Sequence, residues 1–296
     1  MIPPMHVAAL VNPTAGKGRG RRLAPIAIEA LGDNNVHVDV VQGRNRDEAL
    51  EILDSKVKGG VDAVVAIGGD GTVSLALQCL AGTQTPLGVV ALGTGDDVAR
   101  QHGLARRDPL AAVAAIVAGR TTPVDVAKVT HGAGTTWFLT ALASGFDSEV
   151  NEVANRMSWP RGDARYVAAM LRLLPRFSAT DYVITVDGMS LSRRAMLVAV
   201  GNGPSYGGGM LVCPDARTDD DQLAITVVNE VSRRQFLRLF PKVYRGAHTD
   251  HPAVEVFTGR EIELQSHGRS AWADGERISD LPVSITSLQA GVHLLT

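Results

Sequence analysis

Apolar positions in the first 120 residues come in short runs separated by helical stretches. Runs at 7–11, 36–41, 61–67 and 87–92 read as strands. A helical stretch follows the first run to about residue 31, and others cover about 46–57 and 72–80. Asp108 and Pro109 open a further helix, with Asp at the N-cap, Pro in the first turn and Gly119 past its end. Short, nearly continuous apolar strands alternating with helices predict a mostly parallel sheet covered on both faces, an open α/β domain.

The rhythm changes after Thr122. Segments 123–130, 136–143, 182–186, 195–200, 223–228, 253–257, 261–264 and 281–285 read as strands. Turns such as Asp187-Gly188 and Thr258-Gly259 join several of them and suit antiparallel pairing. Two helical inserts, about 164–174 and 232–245, interrupt the series. The second half is therefore β-rich, sandwich-like or barrel-like. The expected division is residues 1–122 and 123–296, with the last residues staying in the second domain or returning to the first. A length of 296 residues agrees with two domains.

Composition narrows the classes. A net charge of -2 argues against wholesale wrapping of nucleic acid, so no nucleic-acid partner is expected. Cys79 and Cys213 stand far apart without metal-ligand spacing, and read as small core residues in a reducing cytoplasm. The first residues lack the pattern of a signal peptide. The longest apolar stretches, such as 110–118, fall short of the roughly 20 residues of a membrane span. A cytoplasmic protein, soluble or peripheral to a membrane, is expected.

The 31 glycines cluster, and the clusters carry the candidate chemistry. Gly68-Gly69-Asp70-Gly71-Thr72 follows a strand and opens a helix, where freed amides would face an anion. The alternative is a plain glycine turn with Asp70 or Thr72 capping the helix. Neither GxGxxG nor GxxxxGK[ST] is present: Lys17 follows Gly16, but Gly18 takes the Ser/Thr position. Two further loops, 12–18 (Asn-Pro-Thr-Ala-Gly-Lys-Gly) and 93–97 (Gly-Thr-Gly-Asp-Asp), follow the first and fourth strands. All three lie at the strands' carboxyl edge, where open α/β sheets bind ligands.

These motifs together resemble the catalytic domain of the diacylglycerol kinase family, shared with sphingosine and ceramide kinases. Ser144-Gly145-Phe146-Asp147, Gly201-Asn202, Gly207-Gly208-Gly209, Cys213-Pro214-Asp215-Ala216 and Asp274-Gly275-Glu276 extend the likeness over nearly the whole chain. The resemblance implies an N-terminal nucleotide domain and a β-sandwich-like second domain, with ATP and lipid meeting between them. ATP would be held by Asn12, Pro13, Thr14, Ala15 and Gly16, by Gly68, Gly69, Asp70, Gly71, Thr72, Val73 and Ser74, and by Thr94. Glu276 would take the substrate's proton. Asp274 would support it or help arrange Mg²⁺, and Asp70 would act through metal or as an alternative base. A structural Mg²⁺ maps onto Asp220 with the carbonyls of Arg217 and Gln222; an ordinary solvated acidic turn is the alternative there.

The chain departs from the family at several points. Ser74 and Leu75 stand where an Asn-Glu pair is common, Gln42 stands near a usual Thr, and Asp221 replaces a usual Gly. Asp96 replaces Asn and would place an extra carboxylate beside the phosphates, weakening anion binding unless metal or Arg100 compensates. With no Walker lysine, Lys17, metal and backbone amides would share the anionic load.

Two segments offer a membrane face. In 232–245, Phe236, Leu237, Leu239, Phe240, Val243 and Tyr244 oppose Arg234, Arg238, Lys242 and Arg245. Such a helix lies on anionic membrane or packs its apolar side on the sheet, and Pro241 kinks or ends it. Arg161, Arg165, Arg172 and Arg176 around Trp159 and Phe177 form the other patch. The expected function is transfer of the ATP γ-phosphate to a lipid hydroxyl, that of diacylglycerol above others, with Mg²⁺ and transient membrane contact. NAD kinase, and a lapsed lipid- or nucleotide-binding protein, are the alternatives. A homodimer through sheet edges is open.

Overall fold

The computed structural model describes residues 4–157, 168–169, 172–173 and 177–296. Strands β1 (His6–Val11), β2 (His37–Val41), β3 (Ala63–Gly68) and β4 (Leu87–Ala91) run parallel in the order β4-β3-β1-β2. Their side chains alternate between two buried faces, as strand geometry requires. Val7, Ala9, Val65 and Ile67 pack on α1 (Ala15–Asp33). Ala8, Leu10, Val64 and Ala66 pack on α2 (Arg46–Lys58) and α3 (Asp70–Leu80). Burial on both sides is why these strands read as unbroken apolar runs. A short α4 (Asp97–Gln101), unexpected from the sequence, precedes α5 (Pro109–Ala118), which joins α1 on its face. Asp108 caps α5 by accepting from Ala111 N, and Gly119 ends it at φ 68°, as the sequence predicts.

The second half is antiparallel and encloses its own core. Its strands are β5 (Thr121–His131), β6 (Gly134–Phe138), β7 (Ala141–Gly145), β8 (Thr180–Val186), β9 (Met189–Gly201), β10 (Leu223–Asn229), β11 (Val254–Gly259), β12 (Glu261–Ser266), β13 (Ser270–Ala273), β14 (Glu276–Asp280) and β15 (Val283–Leu295). Phe138, Leu142, Tyr182, Val198, Ile225 and Leu264 meet in a sandwich-like interior. The helix α6 (Phe146–Arg156) and then α7 (Arg233–Leu239) lie outside it. The last strand, β15, runs antiparallel to β5 and ends with Leu294 beside Leu87 of β4, parallel to it. The C-terminus thus re-enters the first sheet.

Several local expectations are corrected. The predicted strand 136–143 is two strands, β6 and β7, because the amides of Leu139 and Thr140 donate to the Asp274 carboxylate instead of a ladder. The helix after the first strand turns right-handed only beyond Gly18, since Gly16, Lys17 and Gly18 sit at φ 59°, 61° and 92°. The segment 232–245 divides into α7 and a 3-10 turn, Phe240–Arg245, because Pro241 has no N–H to continue the α-helix. Phe236 and Leu239 are buried against Phe146 and Val228, so the apolar side packs inward, while Leu237 and Tyr244 stay exposed. Of the second patch, Trp159, Arg161, Arg165 and Arg176, with most of the predicted helix 164–174, lie outside the described residues. Phe177 is not on the surface: it is buried, edge-on to Phe146 at 5.0 Å. Among the described residues no helix is long and apolar enough to cross a membrane.

Candidate active site

The three glycine loops meet at the carboxyl edge of β1, β3 and β4. Asn12 N donates to Ile67 O (3.0 Å) and Leu92 N to Gly68 O (2.6 Å), stitching each loop to its neighbour. Gly69 and Gly93 touch directly: a Cβ on Gly93 would fall 2.7 Å from the Gly69 Cα, so both positions admit only glycine without backbone movement. The Asn12 side chain accepts from Thr14 N (3.0 Å) and Oγ1 (2.8 Å), which shapes the turn into the left-handed stretch Gly16–Gly18. Arg19, overlooked in the sequence, donates from its guanidinium to Gly93 O and so ties the first loop to the last.

Neither Asp70 nor Thr72 caps α3. Asp70 is its first residue and accepts instead from Val98 N at 3.2 Å, and the buried Thr72 Oγ1 has no partner. Val73 and Ser74 are buried in the helix, whereas Thr14, Gly71 and Thr94 are exposed on the cradle's surface. Gly71 leaves the start of α3 open beside the two other loops, a helix N-terminus of the kind that can face an anion.

Carboxylates gather beside this cradle. Asp97 accepts from Gly208 N (2.7 Å) and pairs with Arg100 (2.5 Å). Burial, then the charge of Asp97, pushes the Asp70 carboxyl up to about 6 against the single opposing Val98 amide, with Asp96 and Asp274 adding to the rise. Asp274, at φ 49° in the β13–β14 turn, accepts from Leu139 N (3.1 Å), Thr140 N (3.0 Å) and Thr140 Oγ1 (2.5 Å). Burial raises its pKa against those bonds. Glu276 opens β14, and its Oε1 stands 3.9 Å from where a Cβ on Gly71 would sit, so it overlooks the first turn of α3. Arg46 of α2 meets that oxygen at 2.5 Å. Burial raises the Glu276 pKa and Asp274 adds to it, while Arg46 opposes. The structure therefore brings Asp70, Asp274 and Glu276 to one cleft, and adds Asp97 and Arg46. Asp97 lay within a quoted motif; Arg46 is 230 residues from its partner and carries no local signal.

Asp96 turns its carboxylate under the 93–97 loop rather than outward. It is buried at φ 52° with Oδ1 accepting from Gly93 N (2.7 Å), and Arg106, Arg107 and Arg19 offset part of its desolvation. Arg100 serves Asp97, so the sequence expectation for Asp96 is corrected.

The 217–222 loop carries carboxylates of its own. Asp220 is exposed and accepts from Gln222 N (3.1 Å), while the Arg217 side chain pairs with Asp219 (3.0 Å). Asp221 adopts φ 57°, the conformation a glycine would take readily, and pairs with Arg260 at 2.5 Å. Beneath the loop the buried Asp125 accepts from Asp221 N and Ala290 N, both at 2.7 Å. The loop could present the carbonyls of Arg217 and Gln222 beside Asp220 to a hard cation, which takes oxygen ligands.

A narrow apolar pocket adjoins the cleft, lined by Phe146, Tyr206, Met210, Phe236, Leu239 and Val243 among others. Tyr206 and Met210 pair across the glycine turn whose Gly208 amide holds Asp97. One short loop thus separates apolar wall from carboxylate cluster.

An α/β domain with anion-accepting glycine loops, joined to a β-sandwich that supplies the facing carboxylates, defines a two-domain phosphotransferase plan. Residues 6–129 match the diacylglycerol kinase catalytic domain, and residues 140–296 match the YegS C-terminal NAD kinase beta sandwich-like domain. A Mycobacterium tuberculosis (strain H37Rv) protein named diacylglycerol kinase is 40% identical over 98% of this chain and 94% of its own length. One of the same name from Staphylococcus epidermidis (strain RP62A) is 26% identical over 97% and 90%. Two Bacillus anthracis str. Sterne crystal structures, described as those of a diacylglycerol kinase, share the fold. Their TM-scores are 0.79 and 0.73 at 23% and 22% identity, covering 98% of this chain and 96% of each. The chain belongs to the diacylglycerol kinase family.

Proposed function

We propose that this protein transfers the γ-phosphate of ATP to the hydroxyl of diacylglycerol, giving phosphatidic acid, with Mg²⁺ as cofactor. The observation that carries the reading is the position of Glu276, a carboxylate from the second domain standing over the first turn of α3. The polyphosphate would lie on the loops at Asn12–Gly16, Gly68–Ser74 and Thr94, held mainly by main-chain groups and by Lys17. The residues fit a divalent cation as well: Asp70 Oδ2 and Asp97 Oδ2 both lie within 3.3 Å of where a Cβ on Gly95 would sit, two carboxylates side by side in a partly buried site. Asp70 and Asp97 would hold Mg²⁺, which when bound neutralises phosphate charge.

Glu276 would accept the proton of the lipid hydroxyl, and Arg46 opposes the burial that raises its pKa. Asp274, locked by three hydrogen bonds to residues 139 and 140, fixes the hairpin that carries Glu276. The pocket at Phe146, Phe236 and Leu239 would take acyl chain. Its outer rim carries the exposed Leu237 and Tyr244 among Arg234, Arg238, Lys242 and Arg245, a surface suited to touching an anionic membrane.

The test is labelled phosphate transfer from ATP to a panel of lipids in detergent micelles, with NAD as control acceptor. Transfer to diacylglycerol above the other lipids supports the reading. Transfer to NAD alone, or ATP binding without any transfer, overturns it.

A further inference from the structure

At the opposite edge of the parallel sheet, where strands begin, two histidines and an aspartate converge. His6 and His37 are register partners on β1 and β2, and Asp39 lies two residues beyond His37, hence on the same face. His6 Nε2 stands 3.0 Å from Asp39 Oδ2 and His37 Nε2 stands 3.5 Å from Asp39 Oδ1. All three donor atoms fall within 4.8 Å of one another, and the imidazole rings are 4.9 Å apart. The backbone beneath is fixed: His37 N donates to Met5 O, and His6 exchanges hydrogen bonds with Asp62 through both its N–H and its carbonyl.

We propose that His6, His37 and Asp39 form a binding site for a borderline divalent cation of the zinc type, which clamps the edge strand β2 to β1. Two imidazole nitrogens and one carboxylate oxygen are a zinc donor set; Mg²⁺ and Ca²⁺ prefer oxygen alone. Tetrahedral zinc with bonds near 2.0–2.1 Å needs donors about 3.3 Å apart; Asp39 turns one oxygen to each imidazole, Oδ2 at 3.0 Å from His6 and Oδ1 at 3.5 Å from His37, so the ion would have only to draw the three donors together. Solvent supplies the fourth ligand, since His37 is 65% exposed. Lys56 Nζ lies 2.6 Å from Asp39 Oδ2 and is the cation that the metal displaces; its side chain is long, flexible and 41% exposed. The glycine loops occupy the other end of these strands, so the site would brace the fold and take no part in phosphate transfer.

The experiment titrates the chelator-stripped, tag-free full chain with Zn²⁺ alone, read by calorimetry in millimolar Mg²⁺. One equivalent of Zn²⁺ is expected to bind and to lose about tenfold or more in affinity in His37→Ala. Lys56→Met is expected to tighten binding several-fold, because it removes the competing cation. Both side chains are substantially exposed, so neither variant threatens folding. Absence of Zn²⁺ binding, equal affinity in His37→Ala, or no tightening in Lys56→Met each overturns the proposal and leaves a solvated surface cluster.

Discussion

Arg46 and Glu276 join the two halves of the chain across the mouth of the cleft, Nη1 to Oε1 at 2.5 Å. Both are about 40% exposed (41% and 39%), so the pair contributes under about 1 kcal/mol to stability. Its importance is local. Arg46 opposes the burial and the Asp274 charge that raise the Glu276 pKa. Removing it in Arg46→Met should move the acid limb of the kcat/KM profile upward. Arg46→Lys should restore most of the shift, with the melting temperature nearly constant in both. A profile that does not move would deny Glu276 its place as the titrating base.

Glu276→Gln keeps the shape of the side chain and removes its basicity. Turnover should fall by about 10²–10⁴-fold, while ATP binding measured by calorimetry stays near wild type. If turnover survives, the proton acceptor is Asp70, the carboxylate that opens α3.

Asp70→Asn should lose activity and gain stability. The Asp70 carboxyl titrates at about 6 in the folded chain against an ordinary 3.8, so the folded state holds its proton more tightly than the unfolded state does. Stability from this group is therefore intact below about pH 4, falls as pH rises to about 6, and stays reduced above. The penalty is about 1–3 kcal/mol. Thermal unfolding without nucleotide or metal should show Asp70→Asn melting higher than wild type at pH 8 and level with it at pH 4. Equal melting at pH 8 would remove the crowded-carboxylate account of the site.

The parallel half of the fold was legible because its strands are buried on both faces, and Asp108 to Gly119 announces a helix by its ends alone. The glycine loops were legible for a related reason, since close backbone approach leaves glycine as its mark at 69 and 93. What could not be read was long-range. The break at Leu139-Thr140 depends on Asp274, 135 residues away along the chain, and Arg46 reaches Glu276 only once the domains are assembled. Asp96 misled because residue type shows a carboxylate but not its direction. Its left-handed backbone turns the side chain under the loop to Gly93 N.

Gly93→Ala and Gly71→Ala should behave oppositely. A methyl at 93 meets the Gly69 Cα at 2.7 Å and Asp96 Oδ1 at 2.5 Å, and neither backbone nor buried carboxylate can yield cheaply. The loops must part, costing about 1–3 kcal/mol as overpacking does and raising KM for ATP. At Gly71 the nearest atom is Glu276 Oε1 at 3.9 Å, so the fold should be unaffected. The added methyl would stand between Glu276 and the proposed phosphate site, so kcat should fall with little change in melting temperature. The two variants separate the cradle's shape from its chemistry.

Asp125→Ala probes the brace under the 217–222 loop. The wild-type carboxylate accepts Asp221 N on one oxygen and Ala290 N on the other, linking that loop to the bend in β15 that returns the chain to the first sheet. Truncation strands two amides in a part-buried setting, at about 1–3 kcal/mol each. Melting should drop by many degrees, and urea unfolding should show the loss. Asp125→Asn retains one amide oxygen to accept and should recover part of it. Because the Asp125 carboxylate fixes the N–H of Asp221, which sits at φ 57°, Asp125→Ala should also loosen the loop that carries Asp220. Any Mg²⁺ stabilisation that survives in Asp70→Asn should then vanish in the double variant, as judged by melting temperature against Mg²⁺ concentration. Its persistence would place the second cation elsewhere than Asp220, Arg217 and Gln222.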